Sequence, residues 1–282
     1  MSSLYYAGRA AALISMHDKE RVILPALNRF FQSNIIVVRN YNTDVFGTFS
    51  REVERPGTQF ATARLKAERA MELTGLDIGI SSEGSFSAHP LLPFLPWNVE
   101  IVLLADKKEQ MVVHGEHATG NTNYGQKLVR DMDEAKDFAE KAGFPHHWVI
   151  VRPEHDRHPD IVKGIDSWSK FFAAAKFAFE QSATGLVFIE TDMRAHANPT
   201  RMEAIAKAAE DLASKLASSC PRCDSPGFAV VRKLRGLPCE WCGLPTDEVK
   251  SSVFACLKCT YEEEQAVASA TASAGRCPRC NP

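Results

Sequence analysis

Short apolar runs alternate with helix-period segments along the first 217 positions of the chain. Residues 10–15 and the β-branched run Ile35-Ile36-Val37-Val38 read as strands, with a helix over about 18–31 between them and Pro25 as a kink point. Residues 40–58 are polar and contain Gly, so they read mostly as loop. Strong helix formers over 61–74 end at Gly75, where a left-handed C-terminal residue costs least. Ile78-Gly79-Ile80 predicts a short strand opening into a loop over 81–85, and 99–104 with 110–114 predict a hairpin around 106–109. Further on come a helix over 133–142 closed by Gly143 and Pro145, and a strand over 148–151. Asp166 is the predicted cap of a helix reaching Gln181, followed by a strand over 186–189 and a helix over 200–217. The alternation predicts an α/β fold with a mixed or largely parallel sheet flanked by helices, over a domain spanning 1–217.

Past Ser219 the periodicity stops, and Gly, Pro and Cys punctuate every few residues. All eight cysteines lie here as four Cys-x-x-Cys pairs: Cys220/Cys223, Cys239/Cys242, Cys256/Cys259 and Cys277/Cys280. Such a turn aims two thiolates at one tetrahedral ion, and a second pair about 15–20 residues on completes the set. The gaps between pairs are 15, 13 and 17 residues. They favour sequential pairing, one Zn on the first two pairs and one on the last two, with a cross-braced arrangement as the alternative. Residues 218–282 therefore predict a small zinc-ribbon-like module holding two structural Zn ions. Its few large apolar side chains leave little to fold on, and structural Zn supplies roughly 10–16 kcal/mol in finger peptides. Redox-active pairs and an iron–sulfur cluster fit four evenly spaced pairs less well.

The whole chain carries 282 residues, a formal charge of −2 and 24% charged residues, which excludes bulk basic character as a route to nucleic acid. No window approaches a membrane span or a signal peptide, so a cytoplasmic protein without a membrane partner is expected. Within 218–282, eight Lys/Arg face seven Asp/Glu. Arg232-Lys233-Arg235 and the pair Arg222/Arg279 are the residues there that can touch phosphate; a solvated face is the plainer reading.

The run 58–67 (Thr-Gln-Phe-Ala-Thr-Ala-Arg-Leu-Lys-Ala), then Thr74-Gly75-Leu76 and Ser82-Glu83-Gly84-Ser85, resembles the inosine triphosphate pyrophosphatase superfamily over about residues 10–90. Ser15-Met16-His17-Asp18-Lys19 is similar to that superfamily's phosphate loop. Three differences stand out: Ser81-Ser82 where Asp is usual, Ala61-Thr62 for a Glu-Asn pair, and Lys19 one residue early. The entire chain also resembles a bacterial domain-of-unknown-function family with a zinc tail. The pieces that carry this likeness are Thr43-Asp44-x-Phe46-Gly47-Thr48-Phe49, Ser82-Glu83-Gly84-Ser85-Phe86, Asn198-Pro199-Thr200-Arg201-Met202 and Gly236-Leu237-Pro238-Cys239. The first resemblance implies a nucleotide-phosphate hydrolase using Mg²⁺. Such chemistry needs carboxylates for the metal, cations for phosphate and an activated water. Glu54 and Glu83 are the candidate carboxylates, each expected on a loop, with Glu83 as metal ligand or general base. Lys66, Lys19 and His17 are the candidate phosphate partners, with Arg51 and Arg55 behind them. The plainer readings are a solvated run for Glu54, a capping carboxylate for Glu83, and pairing with Glu72 or Asp77 for Lys66.

A second constellation, 190–201, follows one predicted strand and precedes a helix, where α/β sheets carry ligand loops. Asp192, Arg194, His196 and Arg201 are its candidate substrate contacts, while Asn198 as N-cap and Pro199 at the first helical position need no ligand. His146, His147, His155 and His158 read as surface. The rival to a hydrolase is a non-catalytic nucleotide sensor whose zinc module contacts nucleic acid or protein.

Overall fold

The computed structural model describes residues 5–282. The first two apolar runs form β1 (Ala11–Ile14) and β2 (Ile35–Val38), parallel, with Ala11 opposite Ile35. Between them α1 (Glu20–Phe31) buries Ile23, Leu27, Phe30 and Phe31, a stripe at helical spacing. Pro25 lies inside α1 on its exposed side, where water can satisfy the carbonyl that loses its partner. The polar segment that follows contains one short 3₁₀ turn, Thr43–Phe46. Helix α2 (Gln59–Thr74) starts at Thr58, whose hydroxyl accepts from the Ala61 N–H, and stops at Gly75 with φ of 71°.

The region expected as a short strand plus loop is one strand, β3 (Ile78–Ala88), so Glu83 sits on a strand and not on a loop. Its polar positions hid it from pattern reading, yet they are buried and bonded: Ser81 Oγ donates to the Ala63 carbonyl at 2.5 Å. Strand β3 runs parallel to β1, then pairs antiparallel with β4 (Pro96–Asp106), which pairs with β5 (Met111–Thr119). The sheet order is β2-β1-β3-β4-β5, a mixed sheet.

A second, wholly antiparallel sheet has the order β6-β9-β7-β8, from β6 (Gln126–Val129), β7 (Val149–Pro153), β8 (Val162–Ile165) and β9 (Val187–Thr191). Strands β6 and β8 are four residues each and, apart from Val129 and Ile165, are not buried, so no alternation marks them. Helices α3 (Met132–Ala142) and α4 (Trp168–Gln181) cover this sheet and share its core. Ser167, not Asp166, occupies the N-cap position of α4; Asp166 pairs with Lys170 at 2.6 Å instead. Helix α5 (Pro199–Ala217) begins as expected, with Asn198 Oδ1 accepting from the Arg201 N–H. It lies directly on the first sheet at Gly115, where a Cβ would stand 2.1 Å from the Ala208 carbonyl oxygen. Helices α1 and α5 with strands β1, β3, β4 and β5 close the main core.

The cysteine-bearing segment adds a three-stranded antiparallel sheet, β10 (Ala229–Arg235), β11 (Val249–Ala255) and β12 (Glu262–Ala266). Among the described residues no helix is long and apolar enough to cross a membrane.

Candidate functional site

Strand β1 lies between two parallel neighbours, and the chain leaves its carboxyl end toward β2 while leaving β3 in the opposite sense toward β4. A crevice opens where such connections diverge, and this is the usual address of ligands in α/β sheets. Here it is a cavity of about 130 Å³, closed on its far side by the second sheet. His17, Lys19, Lys66, Glu83, Asp192, Arg194 and Arg201 all line it. Seven of the eleven candidate side chains named for the α/β part thus meet in one place, brought from five chain segments, while Arg51, Arg55 and His196 stand outside the lining. Glu54 does not join them. It is exposed and makes no side-chain hydrogen bond or ion pair among the described residues, whereas its neighbours Arg51, Glu52 and Arg55, read as part of the same solvated run, pair with Glu190, Lys163 and Glu83.

The turn after β1 presents His17 and Lys19. His17 and Asp18 both have left-handed backbones, with φ of 66° and 61°. For residues with a Cβ such conformations persist only where the surroundings hold them. Ser15 and Glu20 supply that hold, with Ser15 Oγ donating to Glu20 Oε2 at 2.5 Å and the Glu20 N–H returning to Ser15 Oγ at 3.2 Å. Lys19 is half-buried and lines the cavity. It makes no ion pair or side-chain hydrogen bond among the described residues. Burial, then the nearby Arg201 and Lys66 charges, push it down to about 7. Burial and the facing His196 ring, 4.7 Å away, push His17 down to about 3, so it is neutral at physiological pH. Burial and Arg194 lower His196 as well.

Glu83 takes Lys66 Nζ at 2.6 Å on one oxygen and Arg55 Nη2 at 2.8 Å on the other. Lys66 therefore pairs across the cavity, not with Glu72 or Asp77 on the surface. Burial would raise the Glu83 carboxyl, but Lys66, Lys19 and Arg55 outweigh it and hold it below the usual carboxylate range. Beneath lies a fully buried pair, Arg201 Nε to Glu100 Oε1 at 2.8 Å. The Arg201 guanidinium also donates to the Met193 carbonyl and lies over the Phe49 and Phe86 rings, 4.5 and 5.4 Å from their centroids. Gly84 permits this approach: a Cβ there would fall 2.6 Å from both Arg201 Nη2 and Glu100 Oε1. Asp192 is spent on Arg194, which grips it with Nε and Nη2, the latter at 2.5 Å. Asp192 and Arg201 are thus part of the framework of the cavity.

Pattern reading missed several lining groups. Phe49, Phe86 and Tyr124 form an aromatic wall, with Phe86 and Tyr124 stacked at 5.5 Å and Phe49 edge-on to Phe86 at 5.2 Å. Glu190 holds the segment expected as free loop, binding Arg51 Nη2 at 2.5 Å and Arg152 Nη2 at 3.1 Å. Arg152 also reaches the Ser50 carbonyl, and Lys163 pairs with Glu52. Arg152, Lys163 and Glu190 stand in strands of the second sheet, so no local signal could have joined them to residues 48–55. Cations outnumber carboxylates along the lining, and Lys19 is the lining cation without an ion pair among the described residues.

The metal-type sites are separate. Cys220, Cys223, Cys256 and Cys259 form one cluster, and Cys239, Cys242, Cys277 and Cys280 the other, with all Sγ atoms of each within 4.8 Å. The sequential pairing favoured by the gaps is therefore wrong, and the clusters are cross-braced. Strand β11 explains this: it runs antiparallel to both neighbours, returning the third pair beside the first and sending the fourth back to the second. Sγ–Sγ distances of 3.6 Å (Cys220–Cys259) and 3.7 Å (Cys242–Cys277) match the ~3.8 Å edge of a tetrahedron with Zn–S of about 2.3 Å. Four thiols and no open position make each cluster fit a structural Zn²⁺. Among the described residues no other group of three His, Cys, Asp or Glu donors converges.

Comparison with curated proteins gives no match. A family model does match, over a stretch that holds Lys66, Glu83, Asp192, Arg194, Arg201 and all eight cysteines and begins after His17 and Lys19. The likeness to a domain-of-unknown-function family is thereby borne out over residues 66–282, and the chain belongs to the family described as Domain of unknown function (DUF6671), matched over that stretch.

Proposed function

We propose that the cavity binds the phosphates of a nucleotide and hydrolyses a phosphoanhydride bond, in the manner of the nucleoside triphosphate pyrophosphatases that residues 10–90 resemble. The observation that carries this reading is Lys19: an unpaired ammonium walled into a cavity beside Lys66 and Arg201. A cation drawn partly out of water with no carboxylate in contact is costly, and a bound anion reduces that cost. The cavity is small beside the ~300–1,000 Å³ of sites that bury a whole ligand, so it suits the phosphate end of a larger molecule. The aromatic wall of Phe49, Phe86 and Tyr124 offers a surface for a planar ring.

On this reading water attacks phosphorus, the P–O bond to the leaving phosphate breaks, and the water proton passes to an oxygen of the substrate's phosphates, with the neutral His17 ring beside them. Lys19 and Lys66 neutralise the charge that develops on the phosphate oxygens. A resident Mg²⁺ does not fit the residues present, because both Glu83 oxygens are already held and, among the described residues, no group of three donors converges in the cavity. Glu83 instead positions Lys66 and Arg55. Any Mg²⁺ arrives with the substrate's phosphates, which supply most of its ligands. The test is pyrophosphate release from a broad panel of canonical and modified nucleoside triphosphates, with Mg²⁺ and with chelator. Turnover lost in Lys19→Met and Lys66→Met supports the proposal; a silent panel sinks it.

The same engagement of Glu83 favours a second reading, a sensor that binds a nucleotide without turning it over. Melting shifts on nucleotide addition with no product formed would select it. In either case the zinc-clustered segment stands outside the chemistry, as a unit of its own for recruitment or self-association.

A further inference from the structure

In each Cys-x-x-Cys turn the second intervening residue is large: Arg222, Trp241, Lys258 and Arg279. Lys258 has a visible task. It pairs with Glu109 of the β4–β5 turn at 2.6 Å and anchors the first cysteine cluster to the α/β body. Gly227 packs against Val113 on the same side. The second cluster, Cys239/Cys242/Cys277/Cys280, makes no hydrogen bond or ion pair to the body among the described residues. Its turn residues Trp241 and Arg279 are exposed, Trp241 by 76%. Trp241 has no ring partner and joins no buried cluster, and Arg279 has no ion pair among the described residues.

Cross-bracing is what puts these two side chains on the same cluster. They are 38 positions apart, yet each sits between two ligands of the same cluster, so both are carried on one rigid, metal-sized knuckle. An indole that covers nothing exposes apolar surface at a cost to solubility and contributes nothing to the fold. Beside it, two of the three carboxylates of this lobe are spent inside it: Glu240 accepts the Ala274 N–H at 2.9 Å and Glu248 pairs with Arg276 at 2.7 Å. Arg279 keeps its charge free.

We infer that this outer knuckle is a platform for single-stranded nucleic acid, with Trp241 stacking on an unpaired base and Arg279 meeting the adjacent phosphate. An aromatic face with a neighbouring guanidinium is the chemistry that takes splayed-out bases, and every base presents a π-face to it. A duplex hides those faces. The platform is small and the whole chain is slightly acidic, so binding is modest, with a shallow salt dependence from one or two phosphates.

The test is fluorescence anisotropy of labelled mixed-sequence single-stranded RNA and DNA, titrated with the full zinc-loaded chain. Trp241→Ala and Arg279→Ala are each expected to weaken binding by about fivefold or more, with Trp241→Phe retaining most of it. Zinc content and melting temperature are measured on every variant, and stay at the wild-type values because neither side chain packs or ligates. Duplex of the same sequence binds more weakly. The inference is overturned if the wild-type chain binds no oligonucleotide, as a protein partner at this face would produce. Equal affinity of wild type and Trp241→Ala, or of single strand and duplex, overturns it too. Nucleotide turnover in the cavity, assayed on the same preparations, decides the other proposal independently.

Discussion

Replacing Arg201 by Met tests whether the buried pair beneath the cavity is part of its frame. The Arg201 side chain is 1% exposed and that of Glu100 is 0% exposed, with Nε and Oε1 2.8 Å apart. Removing one member of such a pair leaves an uncompensated buried charge, which costs about 3–5 kcal/mol. Lost stacking on Phe49 and Phe86 adds roughly 0.5–2 kcal/mol. At ~2–4 °C per kcal/mol for larger domains, the melting temperature of Arg201→Met falls by about 6 °C at least. Glu100→Leu falls comparably, since the guanidinium then keeps only the Met193 carbonyl as a hydrogen-bond partner. The double variant removes both charges together and is expected to be more stable than either single one. Urea unfolding of wild type, both singles and the double, followed by circular dichroism, closes the cycle. A loss under about 1 kcal/mol for Arg201→Met, or strictly additive losses in the double, would refute the argument.

Lys19 links the cavity to pH. Its ammonium is pushed from the ordinary lysine value of 10.5 to about 7, so the folded chain loses this charge above pH 7 while the unfolded chain keeps it up to about 10.5. Sulfate, whose own charge is constant between about pH 6 and 9, is therefore expected to bind up to tenfold more weakly per unit above 7, a trend that Lys19→Met flattens. Over the same interval the unfolded state binds more protons, so the Lys19 contribution to stability rises with pH; a fall traceable to Lys19 would contradict the sign. Cross-bracing makes a stoichiometric prediction: Cys239→Ala with Cys277→Ala loses one of two zinc ions per chain, and Cys220→Ala with Cys239→Ala loses both. Atomic emission reads the difference, and the reverse outcome would restore sequential pairing. Gly115→Ala drives a methyl into the backbone of α5 and is expected to cost about 3 kcal/mol or more in a urea titration. Chelation should expose residues 218–282 to protease while the body persists; simultaneous loss of both would show that the two do not fold separately.

Local chemistry was legible without coordinates. Gly75, Asn198 and Pro199 end or begin helices because backbone geometry at those positions depends on the residue itself. Cys-x-x-Cys turns announce metal ligands because two thiolates three positions apart suffice to define half a tetrahedral site. The Lys19, Lys66, Glu83 and Arg201 side chains could be nominated since each is an ionisable group beside the end of an element or within a suggestive motif. Length misled where polarity was buried: residues 81–85 look like loop, and only the partners supplied by Ala63, Lys66 and Arg55 make them strand.

Everything that depends on which segments become neighbours was decided by the tertiary structure. A spacing rule counts residues along the chain, but β11 reverses direction between its neighbours, and so the first cysteine pair meets the third. Glu54 and Glu83 are alike as carboxylates; the sheet buries one between Lys66 and Arg55 and leaves the other in water. Sequence by itself determined the kinds of chemistry this chain can present, since ionisation, metal affinity and capping belong to single residues and their immediate neighbours. The tertiary structure decided which of those groups share a cavity or an ion, because burial and Coulomb interactions act through space and not along the chain.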